Sequence, residues 1–292
     1  MGERLDYEPT GRRTVVRVRD GKILGYDEIN PGDGVISPRI MRAKDGYFAF
    51  YGEYSKLDIY GRVMHIPVVE KRAKEGSIEW RHIFDENEVY FEHCLSVEEG
   101  YVFSGFADVQ GNDEEQSEGA FAMLSETGEL LWITTFPAEY RKTYANMWQN
   151  ADGTILSYGN NRYRSGQAEL LLSCIARDGT LLWEKVFEIG KRDDWSSLYG
   201  MIPVDGGFLA MNENENERVP SSLVFLNDEL SVVWAEDISF PEHTMLINVW
   251  CMQHGNESIF GVLVQDRETF DKWIELFSAE NLMEKAKQVN KE

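Results

Sequence analysis

Short apolar runs separated by turn residues fill this chain, and their spacing repeats. Between residues 90 and 136 there are four such runs, 90–97, 101–107, 119–125 and 130–136, with Glu99-Gly100 and Thr127-Gly128 at two of the turns between them. Runs this short, bounded by glycine and polar residues, predict β-strands, because a helix needs a longer stretch with a 3.6-residue apolar period. We name the four strands of such a unit A to D.

Two columns of residues carry the repeat. The first is a turn followed by an apolar run and a tryptophan: Gly76-Ser-Ile-Glu-Trp80, Gly128-Glu-Leu-Leu-Trp132, Gly179-Thr-Leu-Leu-Trp183 and the variant Glu229-Leu-Ser-Val-Val-Trp234, so the tryptophans recur at spacings of 52, 51 and 51. The second is the A–B turn glycine, at Gly46, Gly100, Gly153, Gly206 and Gly255. Two columns with one period identify a repeat architecture built from a unit of about 52 residues.

Four short strands per unit predict an all-β chain folded as a β-propeller of four-stranded blades. The whole of 1–292 reads as one such domain, with a partial blade at 14–29 and repeat blades at 36–84, 90–136, 143–187, 196–238 and 245–287. The partial blade supplies strands C and D only. Five blades closed by this N-terminal hairpin is the expected ring, and a six-position ring with one incomplete blade is the alternative, since an unclosed ring would leave sheet edges open. The fifth unit is completed by Trp273 to Phe277 and a degraded strand at Leu282 to Lys285. Strand B is rich in small residues (Ala49, Ser104, Gly105, Ser157, Ala210), as crowding between converging blades requires. The tryptophans fall on strand D, where an indole covers the gap to a neighbouring blade and its N–H finds a partner.

The Gly-x-Leu-Leu-Trp segments at 128–132 and 179–183, each after an apolar strand, resemble the repeats of quinoprotein-like (PQQ-like) β-propellers. The resemblance covers about residues 14–290 and implies the architecture. Some members of that superfamily are quinone-dependent dehydrogenases and many are cofactor-free scaffolds or sensors. The chain has no adjacent cysteine pair and no calcium-carboxylate set of the dehydrogenase kind, so no cofactor is expected.

Charge narrows the partners. With 51 acidic against 29 basic residues the formal net charge is -22, which repels phosphate backbones and anionic membrane surfaces; nucleic acid is excluded as an expected partner. No apolar segment approaches the length of a membrane span, and residues 1–13 hold no apolar run of the signal-sequence kind. A cytoplasmic protein is expected, with the mature domain of an exported precursor as the alternative. Cys94, Cys174 and Cys251 are too few and too scattered for a disulfide framework and read as buried thiols.

The strand order puts A–B and C–D turns at one end of each blade, where they are tight, and the longer B–C and D–A loops at the other. Asp108, Gln110, Asn112 and Glu114 alternate as calcium ligands do, but Gly111 is misplaced for an EF-hand and the loop reads as solvated acid; no metal is expected. The histidines at 65, 82, 93, 243 and 254 fall on different strands and make no zinc-type cluster. Counting seven residues back from each A–B glycine gives Arg39, His93, Asn146, Tyr199 and Asn248, one polar residue per blade on strand A, followed two positions later by Met41, Leu95, Trp148, Met201 and Trp250. This pattern predicts a polar ring above an apolar one along a channel. The ring either anchors a ligand or satisfies buried backbone groups and water.

Two function classes follow. The first is a non-catalytic binding or scaffold protein that engages a protein or small polar ligand through the long loops and the channel mouth. The second is a glycosidase-type hydrolase, which needs two facing carboxylates; Glu92 on strand A and Glu53, Asp108, Glu213 and Asp266 at the ends of strand B are the candidates.

Overall fold

The computed structural model describes residues 13–19, 22–29, 35–42, 45–57, 63–74, 76–84, 89–108, 116–138, 141–162, 168–187, 196–204, 206–214, 221–229, 231–238, 244–254, 257–266, 268–269, 272–278 and 281, with side chains for part of them. The chain is all-β. Strands β1 (Arg13–Arg19) and β2 (Lys22–Ile29) form a hairpin. Strands β3 (Val35–Arg42), β4 (Gly46–Leu57), β5 (Val63–Ala73) and β6 (Ile78–Ile83) form a four-stranded antiparallel meander. Strands β7 (Val89–Val97), β8 (Gly100–Asp108), β9 (Ser117–Ser125) and β10 (Leu130–Phe136) form the next. Then come β11 (Arg141–Gln149), β12 (Ile155–Arg162), β13 (Ala168–Ile175) and β14 (Leu181–Phe187), joined to β9 by the single parallel bridge Arg141↔Ser117. A further meander follows in β15 (Ser196–Val204), β16 (Gly207–Asn214), β17 (Ser221–Asn227) and β18 (Val232–Ile238). Last is a three-stranded sheet of β19 (Thr244–His254), β20 (Glu257–Asp266) and β21 (Lys272–Ser278).

The strands expected between 90 and 136 are present, each extended by up to two residues. The degraded strand expected at 282–285 lies outside the described residues. Two compact units divide the chain, residues 1–157 with 173–183, and residues 158–172 with 184–292.

In the first unit the turns between third and fourth strands are built alike. The amide of Ala73 donates to Ser77 O at 2.9 Å, that of Ser125 to Glu129 O at 2.8 Å and that of Ala176 to Thr180 O at 2.8 Å. The glycine in each turn donates back to the first residue, and Gly76, Gly128 and Gly179 have φ of 97°, 85° and 86°. This is the three-residue hairpin in which a left-handed residue re-enters the ladder, a conformation that glycine adopts without a Cβ penalty. Asp178 reinforces its turn by accepting from Thr180 N at 3.0 Å, a bond that holds its carboxyl below the usual range.

The same glycines seat tryptophans from the preceding sheet. Trp80 on β6 donates its indole N–H to Glu126 O at 2.8 Å, and Trp132 on β10 donates to Arg177 O at 2.9 Å. A Cβ at Gly128 would stand 2.7 Å from Trp80 Cδ2, and one at Gly179 2.7 Å from Trp132 Cε3, so each ring lies flush on the glycine backbone. The turn-plus-tryptophan repeat of the sequence is therefore a latch between consecutive sheets.

Two groups of aromatic side chains pack in the core of this unit. Phe48 of β4 meets Tyr101 and Phe103 of β8 with centroids 4.8 and 5.4 Å apart, and Val69, Phe91 and Leu124 close round them. Edge-to-face pairs of this kind add about 1 kcal/mol each to what burial supplies. Further on, Tyr144 of β11 packs against Phe121 and Phe136, and it fits only because residue 119 is glycine: a Cβ there would sit within 2.2 Å of Tyr144 Cε2.

The A–B glycine column resolves into two roles. Gly46, Gly100 and Gly207 press against the third strand, where a Cβ would meet the carbonyl oxygens of Arg72, Leu124 and Leu226 at 2.0, 2.2 and 2.0 Å. Gly207 thus occupies the place that the sequence spacing gave to Gly206, which has nothing within 4 Å. Gly153 instead makes the left-handed turn already described, bonding back to Asn150 O at 2.9 Å with φ of 85°. Gly255 lies outside the described residues.

Candidate functional site

The first strand of a sheet carries a β-bulge wherever its register with the second is described. The irregularity falls between Ile36 and Arg39 in β3, Phe91 and His93 in β7, Leu198 and Gly200 in β15, and Leu246 and Asn248 in β19. A bulge inserts an unpaired residue, bends its strand and re-aims the side chains around it. Gly52 and Gly105 pair with the residue before the bulge in β3 and β7. A Cβ at Gly105 would stand 1.9 Å from Tyr90 O, so close backbone approach at the bulge is one reason the second strand carries small residues there.

The register corrects the polar ring. Arg39, His93 and Asn248 are the residues just after a bulge and pair with Phe50, Ser104 and Leu263. In β15 that place belongs to Gly200, paired with Met211, and Tyr199 is the residue inside the bulge, matching Glu92 of β7. The seven-residue count slipped by one because it started from Gly206 rather than Gly207. Asn146 lies on β11. Among the five, the side chain of His93 is described and is half-buried; those of Arg39, Asn146, Tyr199 and Asn248 lie outside the described residues.

Of the candidate carboxylates, Asp108 and Asp266 end β8 and β20 and Glu213 is next to last in β16, whereas Glu53 lies within β4 and Glu92 within β7. Glu92 is the half-buried bulge residue of β7. Asp266 ends β20 and its Oδ1 accepts from Glu268 N and Thr269 N, both at 2.8 Å, so it shapes the loop that follows it. Glu53 pairs with Val35 and Ile66, Asp108 with Ser117, and Glu213 with Ser197, and the side chains of these three lie outside the described residues. So do residues 109–115 of the loop considered for calcium. Among the described residues no group of three or more His, Cys, Asp or Glu is placed to hold a metal ion, and no helix is long and apolar enough to cross a membrane.

The tight-turn end holds charges that sequence reasoning did not single out. Lys71 of β5 is buried, with its ammonium 3.1 Å from Asp45, 2.8 Å from Glu79 and 5.4 Å from the centroid of the Tyr101 ring. Burial pulls its pKa down, but the bonds to Glu79, Tyr101 and Asp45 outweigh it and hold the group above the ordinary lysine range. Beside it Arg72 grips buried Glu70 through Nε at 2.8 Å. His82 Nδ1 donates to Gly128 O at 3.0 Å. Arg177 lies across Gly153 and reaches Glu99 at 3.2 Å. Burial pushes the thiol pKa values of Cys94 and Cys174 up. The signal for Lys71 in the sequence was its place directly after Val68, Val69 and Glu70 on a strand with both faces covered.

No protein-family model matches the chain, and no curated protein matches it in sequence. Among solved structures it resembles a thermostable family-43 glycoside hydrolase, at a TM-score of 0.49 and 10% identity over 84% of this chain and 89% of that one. It also resembles a chimera of ACO and RPE65, at 0.49 and 10% over 86% and 61%, and the periplasmic gluconolactonase of Pseudomonas aeruginosa, at 0.42 and 9% over 89% and 92%. None of the three reaches a TM-score of 0.5.

Proposed function

We propose that the chain is a five-bladed β-propeller closed by the β1–β2 hairpin, and that it acts as a non-catalytic binding or scaffold protein. The ligand, a protein or a small polar molecule, is taken up by the B–C and D–A loops with the bulged first strands behind them. One observation carries the reading: the opposite ends of the sheets, with their A–B and C–D turns, are committed to structure through indole latches, left-handed glycines and the Lys71 ion pairs. Binding residues concentrate on loops carried by such a framework, and the connections between β8 and β9 and between β14 and β15 are the loops to which we assign that part.

A thermal-shift screen of glycans, carboxylates and phosphates tests the reading. A binder should raise the melting temperature of the wild-type chain. Arg39→Ala should then weaken that binder by more than about 1 kcal/mol at nearly unchanged melting temperature, because a guanidinium fork contributes that much to an anion. A lower melting temperature with binding intact would instead make Arg39 a structural residue.

The second reading, a glycosidase-type hydrolase, is favoured by Glu92, which the β7 bulge sets apart from the ladder. Turnover of aryl glycosides that falls at least about a hundredfold in Glu92→Gln would establish it, since loss of an acid or base costs that much. Turnover indifferent to Glu92→Gln would sink it.

A further inference from the structure

The outer strands of the described sheets are edges, and one of them carries no charge. Among the described residues β10 pairs with β9 alone, which leaves one row of its backbone N–H and C=O groups without a ladder partner. Natural edge strands are guarded against strand addition by charges, proline or a β-bulge, and β10 has its register break at Leu131, after which Trp132 to Phe136 pair without interruption. Strand β6 (IEWRHI) has Glu79 and Arg81, β14 (LLWEKVF) has Glu184 and Lys185, and β18 (VVWAEDI) has Glu236 and Asp237. Strand β10 (LLWITTF) has no charge, no proline and no glycine over seven residues. Its two leucines stand out from the surface, Leu130 at 39% and Leu131 at 49% exposure, and Thr135 is exposed as well.

We propose that the free edge of β10 accepts an extended, basic segment of another polypeptide as an added strand. Main-chain bonds along the edge supply affinity, and alternate side chains of the incoming segment rest on Leu131 and its neighbours. The charge decides between occupants. The body carries -22, and the exposed carboxylates Glu126 and Glu129 flank the start of β10, so a lysine- or arginine-bearing segment is drawn in. A second copy of the chain, or an acidic segment, meets like charge. The proposal does not rest on the binding reading above, so its failure and the failure of that reading are separate results.

The probe is a fluorescein-labelled nine-residue peptide of alternating valine and threonine with lysine at both ends, compared with the same peptide carrying glutamate in place of lysine. Both are titrated against the full chain and followed by anisotropy. The lysine peptide should saturate, bind at least about tenfold more tightly than the glutamate peptide, and weaken as salt is raised. Leu131→Asp should weaken it by about tenfold although the change adds a negative charge, because aspartate disfavours a strand and removes the apolar contact. Leu182→Asp on β14 should leave binding unchanged. If Leu131→Asp does not fold, Leu131→Thr keeps strand propensity and should still cost about threefold. Equal binding of the two peptides, a Leu131→Asp chain that binds as well as or better than wild type, or no saturation by about 1 mM would overturn the proposal. So would a dimer in sedimentation that Leu131→Asp dissolves, since that assigns the edge to a second copy.

Discussion

The indole N–H of Trp132 donates to the backbone carbonyl of Arg177, 2.9 Å away and 45 residues further along the chain. Trp80 and Glu126 stand in the same relation, 2.8 Å apart across 46 residues. A bond that recurs at the repeat period ties each sheet to the next, so its removal should loosen the packing between sheets rather than one turn. Trp132→Phe keeps most of the apolar area and loses the bond, and should cost about 1 kcal/mol; Trp132→Ala should cost about 3. Urea denaturation checks both. Equal losses for the two variants would mean that the bond, not the ring, holds the sheets together.

The latch also predicts an asymmetry among glycines. Gly128 and Gly206 have nearly the same left-handed φ, 85° and 81°, but a Cβ at Gly128 would strike the Trp80 ring whereas one at Gly206 meets nothing within 4 Å. Alanine at either position pays about 1 kcal/mol for the backbone conformation. Gly128→Ala should lose about 1–3 kcal/mol more, because overpacking displaces the indole. Melting curves of the two variants read the difference directly, and matching values would show that the ring yields at little cost.

How far the sequence alone reached can be judged from these residues. The tryptophan column was legible because one residue type serves one contact in successive sheets, and its role between neighbours was expected. The strand boundaries between 90 and 136 were legible because alternation and turn glycine agree. The register of the first strands was not. A bulge inserts one residue without changing composition, so Tyr199 and Gly200 could be told apart only by pairing, and Gly206 could not be distinguished from Gly207 when two glycines adjoin. Lys71 was missed because a lysine on a strand normally reads as a surface residue; its burial depends on Asp45 and Glu79, which approach from a turn and from the neighbouring strand.

The charge makes its own forecast. At -22 the chain should give no shift of duplex DNA or RNA at physiological salt. Arg72, Arg81 and Arg177 are each drawn into contacts with Glu70 or Glu99. Such neutralisation weakens the positive field around these three side chains. An electrophoretic assay that found sub-micromolar affinity falling steeply with added salt would expose a basic face strong enough to act against the whole-molecule charge.

Lys71 gives the chain a dependence on alkaline pH. Its folded pKa lies above the ordinary value of 10.5, because the bonds to Glu79, Tyr101 and Asp45 outweigh the cost of burial. A group whose pKa is raised on folding contributes its full stabilisation below the unfolded value. That contribution then declines as pH rises from about 10.5 toward the folded value, because the unfolded chain sheds the proton first. The side chain is only 6% exposed, so solvent screens the ion pairs weakly. Lys71→Met removes the titration and leaves Asp45 and Glu79 without their cation, and should destabilise the chain by about 3 kcal/mol near neutral pH, as expected when a buried pair loses one partner. The gap between wild type and Lys71→Met should therefore be constant from about pH 7 to 10 and narrow above it. Chemical denaturation at a series of alkaline pH values measures that gap. A gap that widens with rising pH would mean that Lys71 is neutral in the folded chain and that burial, not its acidic partners, sets its charge.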